Sequence, residues 1–191
     1  MQQLSIFDIL LGRVKKKVVR RRVYYRPQKS KFVSGETHYY NGVPYLLNVI
    51  YRQGFPKVEL RSDGYMDLYV REGSTIDQRE KTMTEWYRKK LKAKLPSMVA
   101  KWEGIIGVKI NEHNVKQMRT RWGTCNVKAR RIWLSLELAK KPEHCLEYVV
   151  VHELAHLLER KHDARFKSNM DSFMPQWRSI KKELNQRSSF R

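Results

Sequence analysis

Beyond Lys31 the chain alternates short apolar and polar runs before its rhythm changes. Tyr45 to Tyr51 and Met66 to Val70 read as strands, punctuated by Gly42, Pro44, Gly54, Pro56 and Gly64. From Ser74 to Leu95 the apolar residues Ile76, Met83, Trp86, Tyr87 and Leu91 recur at helical spacing. Ser74 or Thr75 offers an N-cap, Asp77 and Gln78 fill the first turn, and Pro96 reads as the stop. Met98 to Gly104 then reads as a second helix. Ile105 to Ile110 and Gln117 to Arg119 read as strands, Trp122-Gly123 as a turn and Ile132 to Leu138 as a further strand. A helix rich in apolar residues follows, with Leu146, Val149, Val150, Leu154, Leu157 and Leu158 around its polar positions. Asp163 to Met174 reads as a helix packed across it, and Trp177 to Leu184 as a last amphipathic helix.

The apolar helix carries His152-Glu153-Leu154-Ala155-His156, the form H-E-x-x-H, and His162 follows. Residues four apart share one helical face, so His152 and His156 can present ring nitrogens to one metal ion. A catalytic zinc takes three protein ligands and keeps a position for water, on which the glutamate of this motif acts as general base. A lone histidine on an apolar helix is usually just packed. The helical context and a third histidine six residues beyond His156 favour the metal instead: one zinc per chain on His152, His156 and His162, with Glu153 as base.

The spacing equals that of H-E-x-x-H-x-x-G-x-x-H, but Glu159 stands at the glycine position, which argues against that group of peptidases. Glu159 and Asp163 are alternative third ligands. Glu159 is expected to lie within the same helix and face solvent, which ranks it below His162.

Upstream stand Arg121-Trp122-Gly123-Thr124-Cys125, the apolar strand from Ile132, Pro142 and Tyr148-Val149-Val150-Val151-His152-Glu153-Leu154-Ala155-His156-Leu157, and downstream Pro175-Gln176-Trp177. This order of motifs resembles the YgjP-like metallopeptidases, most strongly over Arg119 to Trp177 and more broadly from about Lys31 to Leu184. The resemblance implies an α+β, zincin-like metallopeptidase domain with a small mixed sheet beside the active-site helix. A β-rich N-terminal subdomain precedes it. The expected organisation is a basic arm over 1–30, the β-rich part over 31–72 and the metallopeptidase domain over 73–191.

The resemblance also implies that the strand before the active-site helix can receive an extended peptide on its edge, by main-chain pairing that demands no particular sequence. Here that strand is Ile132 to Leu138, which makes Ile132 and Leu134 substrate-binding candidates, together with Arg121 and Tyr148. Arg119, Arg121, Tyr148 and His144 are all available to stabilise developing charge. For Arg119 and Arg121 a structural role is favoured, because buried arginines commonly bridge backbone carbonyls.

Charge widens the range of partners. Against 19 Asp and Glu stand 40 Lys and Arg, giving a net +21 and a pI near 10.1, and the basic residues are densest from Arg13 to Lys31. Arg20, Arg21 and Arg22 with Tyr24, Tyr25 and Phe32 could neutralise phosphates and stack bases. A solvated basic arm explains the same run. Besides a peptide or protein substrate, a nucleotide or nucleic acid therefore enters as partner, and two alternatives stand beside the peptidase. One is a zinc-dependent hydrolase of a phosphorylated substrate; the other is a nucleic-acid-associated metalloprotease. No membrane span or secretory signal is read, so a cytoplasmic location is expected. Cys125 and Cys145 have no metal-knuckle or redox spacing and read as small buried hydrophobes.

Overall fold

The computed structural model describes residues 30–186, so nearly all of the expected basic arm lies outside the described residues. Within that span the fold is α+β, with two small mixed sheets and four α-helices. The first sheet contains β1 (Thr37–Tyr40), β2 (Val43–Tyr51), β3 (Lys57–Leu60) and β4 (Tyr65–Val70) in the order β1-β2-β4-β3. β2 and β4 run parallel and the other pairs antiparallel. Leu47, Val58, Met66, Leu68 and Val70 are buried.

Asn41 and Gly42 form the β1–β2 turn with φ of 51° and 79°, both in the left-handed region that a tight hairpin demands. This turn also docks. The Asn41 and Gly42 amides donate to the carbonyls of Ala139 and Lys140, and a Cβ on Gly42 would lie 2.7 Å from Pro142 Cγ. The first sheet thereby abuts the segment that leads into the histidine helix.

α1 (Ile76–Ile106) starts at a capping box between Thr75 and Gln78 and runs straight through Pro96. The expected stop at Pro96 and the separate helix after it are therefore one element. Met83, Tyr87, Leu91, Leu95, Val99, Trp102 and Ile106 make an unbroken buried stripe across the proline. An interior proline costs about 3 kcal/mol, whereas burying Val99, Trp102 and Ile106 gains roughly 1.5–3 kcal/mol each. The ring itself is exposed to solvent. The helix closes at Gly107, φ 75°, so the strand expected over Ile105 to Ile110 is instead a helix end and an irregular turn.

The second sheet has β5 (Glu112–Lys116), β6 (Gly123–Asn126) and β7 (Arg131–Ser135) in the order β5-β7-β6. β7 is parallel to β5 and antiparallel to β6. It is the central strand, which corrects the expectation of an edge at Ile132 to Leu138; residues 136–140 are in fact a 3-10 turn. Gln117 to Arg119 is irregular, and the strand lies at Glu112–Lys116. Then come α2 (Glu143–Ala155), α3 (Ala164–Phe173) and α4 (Trp177–Asn185). The Trp102 indole N–H donates to Glu147 Oε1 at 2.9 Å, joining α1 to α2. Among the described residues no helix is long and apolar enough to cross a membrane. Both cysteines are free, and burial pushes each thiol up to about 11.

Candidate metal centre

α2 is apolar on nearly every side, with Cys145, Leu146, Val149, Val150, Val151, Leu154 and Ala155 buried, as befits an inner helix. Tyr148, His152 and His156 stand four residues apart on one face. The helix ends at Ala155 with His156 as its C-cap, a turn earlier than expected, so Glu159 lies outside it. That early exit lets the loop bring His162 back. His162 Nε2 is 3.0 Å from His152 Nε2, and one donor atom from each of the three histidines lies within 4.8 Å of the others.

The nitrogens are suited to one metal ion. His156 Nδ1 donates to the Glu159 carbonyl at 3.1 Å, which fixes its tautomer and leaves Nε2 as the lone pair. His152 Nδ1 is buried without a hydrogen-bond partner, so Nε2 is the nitrogen that faces its neighbours. Burial, then the nearby His156 and His162, lowers the His152 pKa to about 3; burial likewise holds His156 below the ordinary imidazole value. Three imidazoles with converging lone pairs fit zinc, whose tetrahedral ligands at about 2.0–2.1 Å stand roughly 3.4 Å apart. The Phe166 ring on α3 packs against all three, its centroid 4.8 to 5.0 Å from theirs. Asp163 is otherwise engaged: its Oδ1 caps α3 by accepting from the Phe166 amide at 3.1 Å.

Glu153 follows His152 and is only 5% exposed. Burial pushes its carboxyl up to about 8, against the opposing pull of Arg121. It lies against β6, where a Cβ on Gly123 would be 2.6 Å from Glu153 Oε1. Tyr148 is buried, tilted against the His152 ring at 5.7 Å, and its phenol is raised to about 12 by burial and by Glu153.

The other sequence candidates fall elsewhere. Ile132 and Leu134, offered as substrate-binding residues, are core residues of the central strand with no exposed surface. Arg119 and Arg121 are exposed, which removes the buried bridging role favoured for them, although the charge of Arg121 is felt at Glu153. His144 pairs with Glu183 at 2.8 Å, two helical turns from His152. Sequence reasoning missed Gly123 as the neighbour of Glu153 and Phe166 as the packing partner of the histidines. The R-W-G-T-C motif was the available signal for the first; Phe166 carried no signal beyond its place in a helix.

The model of the YgjP-like, metallopeptidase domain family matches residues 10–187. The chain belongs to this family. Two solved structures resemble part of it at 18% identity. They are the metallopeptidase zymogens of Pyrococcus abyssi abylysin, with TM-score 0.44 over 47% of this chain and 90% of that one, and of Methanocaldococcus jannaschii jannalysin, with TM-score 0.43 over 48% and 94%. No curated protein matches. The family makes the chain a metallopeptidase, and the three histidines are a group that could hold a metal ion.

Proposed function

We propose that His152, His156 and His162 hold one zinc ion and that Glu153 is the general base of peptide-bond hydrolysis. The observation that carries this reading is the convergence of three histidine nitrogens beside a buried carboxyl. Zinc held there would lower the pKa of water toward about 7 and polarise the scissile carbonyl. Glu153 accepts a proton from the attacking water as its oxygen bonds to the carbonyl carbon. The same carboxyl then delivers that proton to the leaving nitrogen as the C–N bond breaks, so the glutamate ends the cycle as it began. Burial alone would keep Glu153 protonated at neutral pH; a neighbouring dication restores the carboxylate. The low dielectric that raises its pKa also makes it a stronger base once charged.

The substrate strand needs a free sheet edge beside Glu153. β6 meets that need, since it pairs only with β7 among the described residues and Gly123 lies against the carboxyl. An extended peptide added along β6 would put its carbonyls near Glu153 without a sequence-specific pocket. Tyr148 and Arg121 remain the groups placed to meet developing negative charge.

The test pairs wild type with Glu153→Gln on a casein-type substrate, with metal content measured on both. The variant should keep its zinc and lose cleavage by at least about a thousandfold. Full activity in the variant would remove Glu153 from the base role.

A further inference from the structure

Two helical turns before His152, a second group of metal-ligating side chains meets where α2 begins. His144 and Cys145 occupy the first turn of α2, and Glu183 reaches across from α4. His144 Nε2 and Glu183 Oε2 are 2.8 Å apart, and one donor atom from each of His144, Cys145 and Glu183 lies within 4.8 Å of the others. Cys145 is fully buried, whereas the side chains of His144 and Glu183 are each 48% exposed. The group therefore has a fixed sulfur at its base and a mouth open to solvent.

We propose that His144, Cys145 and Glu183 form a second cation site, for a divalent ion of the zinc class, that fastens α4 to the start of the histidine helix. All three donors are zinc ligand types, and water can complete a tetrahedron. A thiolate and a carboxylate bring two negative charges, equal to the charge of the ion, whereas the three-histidine centre brings none. A thiophilic ion should therefore favour this site over the other. Coordination replaces the His144–Glu183 hydrogen bond and releases the Cys145 thiol proton to solvent. His144 and His152 are eight residues apart on one helix, roughly 12 Å, so the two sites bind separate ions.

The position gives the ion a mechanical consequence. Without it, this part of the α2–α4 joint rests on an exposed His–Glu pair, an interaction that contributes little. α4 also holds the Trp122 indole, whose Nε1–H donates to Asn185 Oδ1 at 3.1 Å. Trp122 immediately precedes Gly123, which lies against Glu153. An ion at Glu183 would thus brace the helix that anchors this segment.

Titration of the full chain with Co2+, followed by absorbance, tests the site through the near-ultraviolet thiolate-to-cobalt band. Wild type should take up two equivalents, one of them with the band. Cys145→Ser should lose the band and that equivalent, Cys125→Ser should keep both, and His162→Ala should lose the other equivalent while keeping the band. Glu183→Gln, a change at an exposed position, should weaken the band-bearing equivalent by at least about tenfold, and it decides the matter if Cys145→Ser does not fold. Wild type without a thiolate band, or a band that survives Cys145→Ser, overturns the proposal.

Discussion

Gly123 has a φ outside the left-handed region, so its backbone would accept any residue. What requires glycine there is Glu153: an added Cβ would meet its Oε1 at 2.6 Å, its Cγ at 2.8 Å and its Cδ at 2.9 Å. Those atoms belong to a side chain rather than to the backbone, so Gly123→Ala should fold and keep its metal while the carboxyl shifts. A displacement near 1 Å in a reacting group can cost about a hundredfold in rate. Cleavage by Gly123→Ala should fall by that order, and the same change in a Glu153→Gln background should cost little more, because both act through one group. Unchanged cleavage in the single variant would show that the contact does not position the base. At this scale the approach of His152 and His156 was legible, because H-E-x-x-H has a fixed helical geometry. Gly123 and Phe166 were not, because each acts through a neighbour that is distant in sequence.

Among the elements, the segment after α1 shows why local pattern misled. Ile105, Ile106, Val108 and Ile110 resemble a strand, but Glu103 turns the chain. Its Oε1 accepts from the Ile110 amide and its Oε2 from Lys109 Nζ, each at 2.7 Å. Burial alone would raise the Glu103 pKa; the hydrogen bonds from Lys109 and Ile110 and the Lys109 charge outweigh it and hold it below the ordinary carboxylate value. A pKa lower in the folded than in the unfolded chain means that the stabilisation is complete above about 4.5 and is lost as the pH falls through the native value. Glu103→Gln should destabilise the protein by about 1–3 kcal/mol at neutral pH, and the gap between the two denaturation curves should close in acid. A gap independent of pH would point to packing rather than charge. The helices α2, α3 and α4 were legible from the run and spacing of their apolar residues. The single run of α1 through Pro96 was not, since tertiary burial outweighs a local breaker. β5, Glu-His-Asn-Val-Lys, has one buried residue and no strand-like alternation. Strand order is also invisible to periodicity: a central strand and a half-buried edge strand both carry Ile-Trp-Leu.

For the molecule as a whole, the β1–β2 turn is one of the joints between the first sheet and the rest of the fold, beside the Tyr87 hydroxyl that donates to the Tyr39 carbonyl at 2.9 Å. Gly42 combines a φ of 79° with a contact that would put a Cβ 2.7 Å from Pro142 Cγ and 3.1 Å from Pro142 N. Here the close neighbour is a rigid ring at the N-cap of α2 and cannot swing aside. Gly42→Ala should therefore destabilise by about 1–3 kcal/mol from the backbone alone, with further loss from the clash, read as a lower melting temperature. A melting temperature equal to wild type would mean that the turn and Pro142 separate freely. The net charge of +21 was plain from composition, yet its densest run falls outside the described residues, so it locates no anionic partner on this fold.

The proposed mechanism requires one zinc ion on His152, His156 and His162 next to Glu153. The most direct measurement is anomalous scattering at the zinc edge from crystals of the zinc-loaded protein, which locates each ion independently of activity. A peak within bonding distance of one ring nitrogen from each of the three histidines is the predicted result. No peak there, or an ion held by Glu159 or Asp163 in place of His162, would contradict the account.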